Sequence, residues 1–203
     1  VVYGRRRVGK TTLVTTALDS LEQDTQYYLC DQRGPKHNAT QFGRQCAEHF
    51  DDVPPDVNSF LDAFRYLKGR VDGPFVVALD ESSYLVEEDE TIPSVFQTIV
   101  DELLADTDIS IVLLGSSISM MEEGVLSYES PLYGRRTGQW RLEPLTIGDV
   151  SKFFPQYDAD ATIQTYSVLG GVPAYLEQFD GTEDLFSNIE QHILSYSVSA
   201  RRA

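Results

Sequence analysis

Gly4-Arg5-Arg6-Arg7-Val8-Gly9-Lys10-Thr11 is the stretch on which the fold turns. It matches G-x-x-x-x-G-K-[ST] at every fixed position. Val1-Val2-Tyr3 before it has strand character, and the helically spaced Thr11-Thr12-Leu13-Val14-Thr15-Thr16-Ala17-Leu18 follows. A strand that passes through a glycine loop into a helix is the context that separates a phosphate-binding loop from a chance match. The glycines let the backbone curl, so that Gly4 and the amides of Arg7, Val8, Gly9, Lys10, Thr11 and Thr12 are expected to surround a phosphate. Lys10 then reaches the β- and γ-phosphates, the Thr11 hydroxyl ligates Mg²⁺, and the helix start adds its positive dipole end. The plainer alternative is a glycine-rich turn without a ligand. The side chains of the three arginines read either as contacts to phosphate or a neighbour or, more often at such variable positions, as solvated, and they are given no catalytic role.

Beyond the loop the apolar pattern alternates between two periods. Short β-rich runs lie at Val1-Tyr3, Gln26-Cys30, Phe75-Leu79, Ile109-Leu114 and Gln139-Leu142. Helically spaced segments lie at Lys10-Leu21, Thr40-Phe50, Asn58-Val71, Pro93-Ala105 and Ile118-Ser127. FVVAL and ISIVLL are continuously apolar, as expected of central parallel strands covered on both faces. The fold expected is therefore α/β, a parallel sheet between two layers of helices. After Leu145 only helical patterns remain, at Ile147-Phe154, Ala159-Leu169, Pro173-Phe179 and Thr182-Ser197. This predicts an ATPase-like core over residues 1–144 and a helical subdomain over 145–203. Because the chain opens directly on a strand, it reads as a domain excised from a longer protein.

Phe75-Val76-Val77-Ala78-Leu79-Asp80-Glu81 is an apolar strand that ends in two carboxylates. Asp80 is expected to hold the Mg²⁺ shell, and Glu81 to orient and deprotonate the attacking water. Alone, the pair is also explained by an exposed acidic turn; following a phosphate loop, it points to nucleotide hydrolysis. No N-K-x-D base-reading motif is present, which favours ATP over GTP. Ile109 to Ser117 is a second buried strand pattern ending in Gly115-Ser116-Ser117. Ser116 or Ser117 is a candidate γ-phosphate sensor, and the alternative is an N-cap for the next helix, with Ser117 capping Ile118 onward. Arg135 and Arg136 are candidates to stabilise phosphoryl charge, in the same chain or supplied to a neighbour, or else a surface pair making ion pairs. In Gly170-Gly171-Val172-Pro173, Pro173 offers a flat apolar surface for adenine; the alternative is a tight helix-helix corner.

GRRRVGKTTL, FVVALDESSYL, IVLLGSSISMM, PLYGRRTGQWRLEPL and YSVLGGVPAYL, in this order from Val1 to about Phe179, closely resemble the archaeal ATPase domain family. That family is a branch of the STAND-type P-loop NTPases related to the AAA+ group. The resemblance implies ATP binding and hydrolysis on an ASCE-type three-layer sheet, with a helical lid whose G-x-P turn, here Gly171-Val172-Pro173, contacts the nucleotide. It departs at Ser116, where many relatives carry Asn or Thr. Relatives often add a winged-helix or nuclease-like domain, through which DNA would be engaged.

Sixteen Lys+Arg against 32 Asp+Glu give a net charge of −16 over 203 residues, and only Lys10, Lys36, Lys68 and Lys152 are lysines. Such a carboxylate-rich surface suits molar salt, where self-repulsion is screened over about 3 Å, and a halophilic source is expected. No apolar run approaches the roughly 18 residues of a membrane span and no signal peptide opens the chain, so a cytoplasmic location without membrane partners is expected. Cys30 and Cys46 lack disulfide or metal spacing and read as reduced packing residues. The leading functional reading is an ATP-driven conformational switch or motor, with nucleotide-dependent self-association as one open possibility for its partners. The alternatives are a scaffold holding ATP or ADP with little turnover and, less favoured, a small-molecule phosphotransferase.

Overall fold

A computed structural model describes residues 1–195 of the chain. They divide into two compact units: Val1–Arg5 with Lys10–Arg141, and Arg6–Gly9 with the chain from Leu142 onward.

The first unit is a five-stranded sheet of order β2-β3-β4-β1-β5. Its strands are β1 (Val2–Tyr3), β2 (Asp24–Leu29), β3 (Phe75–Asp80), β4 (Ile109–Gly115) and β5 (Trp140–Arg141). Every paired strand is parallel, so each crossover must pass over a face of the sheet. Helices α1 (Lys10–Asp19), α2 (Pro35–His49), α3 (Phe60–Lys68), α4 (Ser83–Glu88), α5 (Ile92–Thr98) and α6 (Ile118–Met120) are the connections. Both α5 and α6 run on into wider π-type turns, Ile99–Leu103 and Met121–Val125. The fold is therefore α/β of the expected kind.

The period of two in β3 sorts its side chains onto the two faces. Phe75, Val77 and Leu79 enter a large aromatic cluster with Phe42, Phe60, Phe64 and Phe96 from the α2, α3 and α5 side. Val76 and Ala78 instead join Val14 and Leu18 of α1, so Asp80, two residues further along, emerges on the α1 face. All six residues of β3 are buried, as its composition predicts. β4 departs from the expectation: only Leu113, Leu114 and Gly115 are buried, and Ser110 is exposed. The cluster with α1 reaches Leu114 and Val112 but does not include the start of that strand.

The second unit consists of short helices α7 (Ile147–Phe153), α8 (Ala159–Leu169), α9 (Pro173–Leu176) and α10 (Leu185–Ile189), the last extended by a π-type turn, Glu190–Leu194. Its core is small: Val150, Phe154, Leu176 and Phe179 are buried together. Asp158 caps α8 by accepting from the Ala161 amide at 2.8 Å. The end of the last expected helix, Tyr196-Ser197, and the pair Arg201-Arg202 lie outside the described residues.

Candidate active site

In the first unit, β1 ends at Tyr3 and the chain turns at Gly4 into the loop, while α1 begins at Lys10. Lys10 is 5% exposed, and its ammonium donates to the Gly4 and Arg5 carbonyls at 3.0 Å each. The loop's own backbone thus holds the lysine head in place. One residue on, the Thr11 hydroxyl donates to Asp80 Oδ2 at 2.5 Å. A loop and a strand end 69 residues apart are thereby joined at one point.

Asp80 is 1% exposed and its carboxylate is held from three sides. Oδ1 accepts the Glu81 amide at 2.7 Å, and Oδ2 accepts the Thr11 hydroxyl and the Tyr27 hydroxyl, the latter at 2.8 Å. Tyr27 lies on β2 opposite Ala78 and packs beside the α1-side cluster. Burial, with the hydrogen bond to Asp80 next, pushes its phenol well above the usual range, so it stays protonated and acts as a donor. Its role is not visible from sequence, where QYYLC is only a strand pattern. The parallel register of β2 on β3 brings the hydroxyl to the acid.

Glu81 follows with φ of 52°, a left-handed conformation that a residue with a side chain adopts at a cost of about 1–3 kcal/mol. Strain of this kind is retained where the surroundings over-determine it. Here Ser82 donates both its amide and its hydroxyl to the Leu114 carbonyl of β4, each at 2.8 Å. Glu81 Oε2 accepts the Ser116 hydroxyl at 2.5 Å and the Ser116 amide at 3.3 Å. The sensor candidate therefore meets the water-activating candidate directly. Ser117 occupies the N-cap position of α6, but its side chain makes no capping hydrogen bond.

The second unit holds the middle of the loop. Val8 is buried and Arg7 is exposed; Arg7 has φ of 68° and Gly9 of 94°, so the backbone curls as the two-glycine spacing requires. A Cβ placed on Gly9 would lie 3.9 Å from Pro173 Cγ, and the Arg7 guanidinium sits 5.6 Å from the centre of the Tyr175 ring. The G-x-P turn and the loop segment are neighbours. Gly171 is required there for a local reason: a Cβ would fall 1.8 Å from the Leu145 carbonyl oxygen, and the Leu145 amide donates to the Gly171 carbonyl at 2.7 Å. Thr12, on the first turn of α1, is exposed.

Arg135 and Arg136 have other partners. Arg135 pairs with Asp101 at 2.7 Å and donates to the Pro131 carbonyl at 2.8 Å. Arg136 donates to Gln139 at 2.6 Å and stacks over Tyr133. Both border a cleft lined by Val1, Phe96, Ile111 and Leu113, and none of these partners belongs to the group around Asp80.

The donor set fits a divalent cation carried by a nucleotide. One hydroxyl and one carboxylate converge, both hard oxygen ligands. Among the described residues no three acidic, His or Cys side chains gather as a metal cage. Mg²⁺ is commonly held in this way, by one or two protein oxygens with phosphates and waters completing the shell.

Comparison with known proteins gives the family and the fold. Residues 1–179 match the model of the ATPase domain found predominantly in Archaea, so the chain belongs to the archaeal ATPase domain family. An uncharacterised protein of Methanocaldococcus jannaschii is 37% identical over 178 residues, which are 88% of this chain and 38% of that protein. The chain thus spans well under half the length of that relative. Among solved structures, the Walker-type ATPase of Pyrococcus abyssi is 21% identical with a TM-score of 0.67, over 99% of this chain and 70% of that one. The Aeropyrum pernix ORC1 protein in complex with DNA is 16% identical with a TM-score of 0.59, over 100% of this chain and 54% of that one. No helix among the described residues is long and apolar enough to cross a membrane.

Proposed function

We propose that this domain binds ATP with Mg²⁺ and hydrolyses it, and that the cycle switches the state of a larger protein. The observation that carries the reading is the meeting of Thr11 with Asp80 at the end of a fully buried strand, with Glu81 next in sequence and held by Ser116. The amides of residues 7–12 and the start of α1 receive the phosphates. Lys10 exchanges the Gly4 and Arg5 carbonyls for phosphate oxygens, and Thr11 and Asp80 hold the cation. When bound, Mg²⁺ supplies the positive charge that offsets the growing charge on the phosphoryl oxygens. Glu81 accepts a proton from the attacking water, and Ser116 fixes the plane of its carboxylate. Pro173 and Tyr175, beside Gly9 and Arg7, transmit occupancy of the loop to the helical residues 145–195, which act as the lid. In this reading Arg135 or Arg136 serves the phosphate of a neighbouring copy, leaving Asp101 or Gln139 as it does so. The likeness to the Aeropyrum pernix ORC1 protein, solved in complex with DNA, supports DNA as a partner of the longer protein.

A second reading, ATP held with little turnover, is favoured by one observation: Glu81 Oε2 is engaged by both the amide and the hydroxyl of Ser116. Phosphate release by the parent and by Glu81→Gln separates the two. Hydrolysis predicts a loss of about 10²-fold or more in the variant with ATP still bound. Equal and negligible rates in both proteins select the holding role.

A further inference from the structure

We infer that Tyr27 is a positioning residue for the metal-holding carboxylate, its hydroxyl locking Asp80 in the orientation that Mg-ATP requires. The inference rests on the reading of Thr11 and Asp80 as the cation site.

A carboxylate offers about four acceptor positions. Three at Asp80 are occupied: one on Oδ1 by the Glu81 amide, and two on Oδ2 by Thr11 and Tyr27. Rotation of the carboxylate about its bond to Cβ breaks all three. They differ in what secures them. The Glu81 amide belongs to the strained residue beside it, and Thr11 turns toward the cation as it becomes a ligand. Only Tyr27 comes from an element that takes no other part in the site. β2 is anchored along its whole length on β3, with Tyr27 opposite Ala78 and Leu29 opposite Asp80. Two residues short of Asp80 along the register, the ring spans that distance on the α1 face, its flank against the Val14, Leu18 and Ala78 cluster and its hydroxyl on Oδ2. A phenol suits this place, because it donates one proton without adding a charge that would oppose the cation. Partners of this kind behind a metal ligand typically change metal affinity by about 10–100-fold when removed.

The test uses Tyr27→Phe, which keeps the ring and removes only the donor, with Leu18→Ala as a control that loosens the same cluster and leaves the hydroxyl in place. Melting is followed at fixed ATP while Mg²⁺ is titrated, and again with ATP in EDTA. Expected are a ligand-free melt for Tyr27→Phe close to the parent's, an unchanged response to ATP in EDTA, and a Mg²⁺ half-saturation raised about tenfold. Leu18→Ala lowers the melt and leaves the half-saturation where it was. An unchanged half-saturation in Tyr27→Phe, an equal rise in Leu18→Ala, or loss of the cooperative melt in Tyr27→Phe overturns the inference while leaving the ATPase reading standing. A parent that shows no Mg²⁺-dependent stabilisation by ATP removes that reading, and this inference with it.

Discussion

The two units of the molecule are built to different standards. Around β3, the rings of Phe42, Phe60, Phe64 and Phe96 pack with centroids 5.2 to 6.2 Å apart, and the strand they cover delivers Asp80 with three hydrogen bonds already made. In the helical unit, a cluster of Val150, Phe154, Leu176 and Phe179, with only partly buried apolar residues packed against it, secures helices of 4 to 11 residues, most of them too short to persist without tertiary support. Groups that hold a cation and a water must not wander, because misplacement of about 1 Å is costly to catalysis. A turn that answers to a ligand gains from a shallow energy well, since mobile elements are drawn from the low-stability end of a fold. On the proposed function, the difference in packing would follow a division of labour between fixed acids and a responsive G-x-P turn.

The contrast can be broken by mutation. Phe42 is fully buried, and Phe42→Ala should cost the sheet unit about 3–5 kcal/mol, read as an earlier denaturation midpoint of that unit. Leu176 is equally buried, yet Leu176→Ala, at about 2–4 kcal/mol, should act locally. Amide exchange is expected to rise in 147–189 while β3 and β4 keep the parent's protection; a uniform rise would mean that the helical unit has no separate stability. Asp158→Ala removes the α8 cap and should cost about 1 kcal/mol, seen in the exchange of Ala161 and its neighbours. Equal effects of these last two on the sheet would erase the distinction.

Sequence and structure meet most closely where spacing is dictated by chemistry. Thr11 and Asp80, which the phosphate-loop and acidic-strand patterns single out, do meet in the fold, and the apolar run of β3 announces its own burial. Helix limits are harder to read. α2 starts at Pro35, before the expected Thr40, because proline at the first turn loses no hydrogen bond there, although Pro-Lys-His-Asn has the polarity of a loop. α4 is hidden by its acidic end, Glu87-Glu88, while Leu85 and Val86 are buried. Tyr27 is concealed for a different reason: its contact depends on which strand lies beside β3 and in what register, information that no single segment contains. For Arg135 and Arg136 the sequence leaves a phosphate role and a surface ion pair both open, and their contacts with Asp101, Gln139 and Tyr133 are likewise not readable from one segment.

A crystal structure with Mg²⁺ and a non-hydrolysable ATP analogue is the most direct measurement. Expected are phosphates on the amides of residues 7–12, Lys10 Nζ transferred from the Gly4 and Arg5 carbonyls to phosphate oxygen, and the cation about 2.0–2.1 Å from Thr11 Oγ1. Nucleotide bound elsewhere, or a cation remote from both Thr11 and Asp80, would contradict the proposed function.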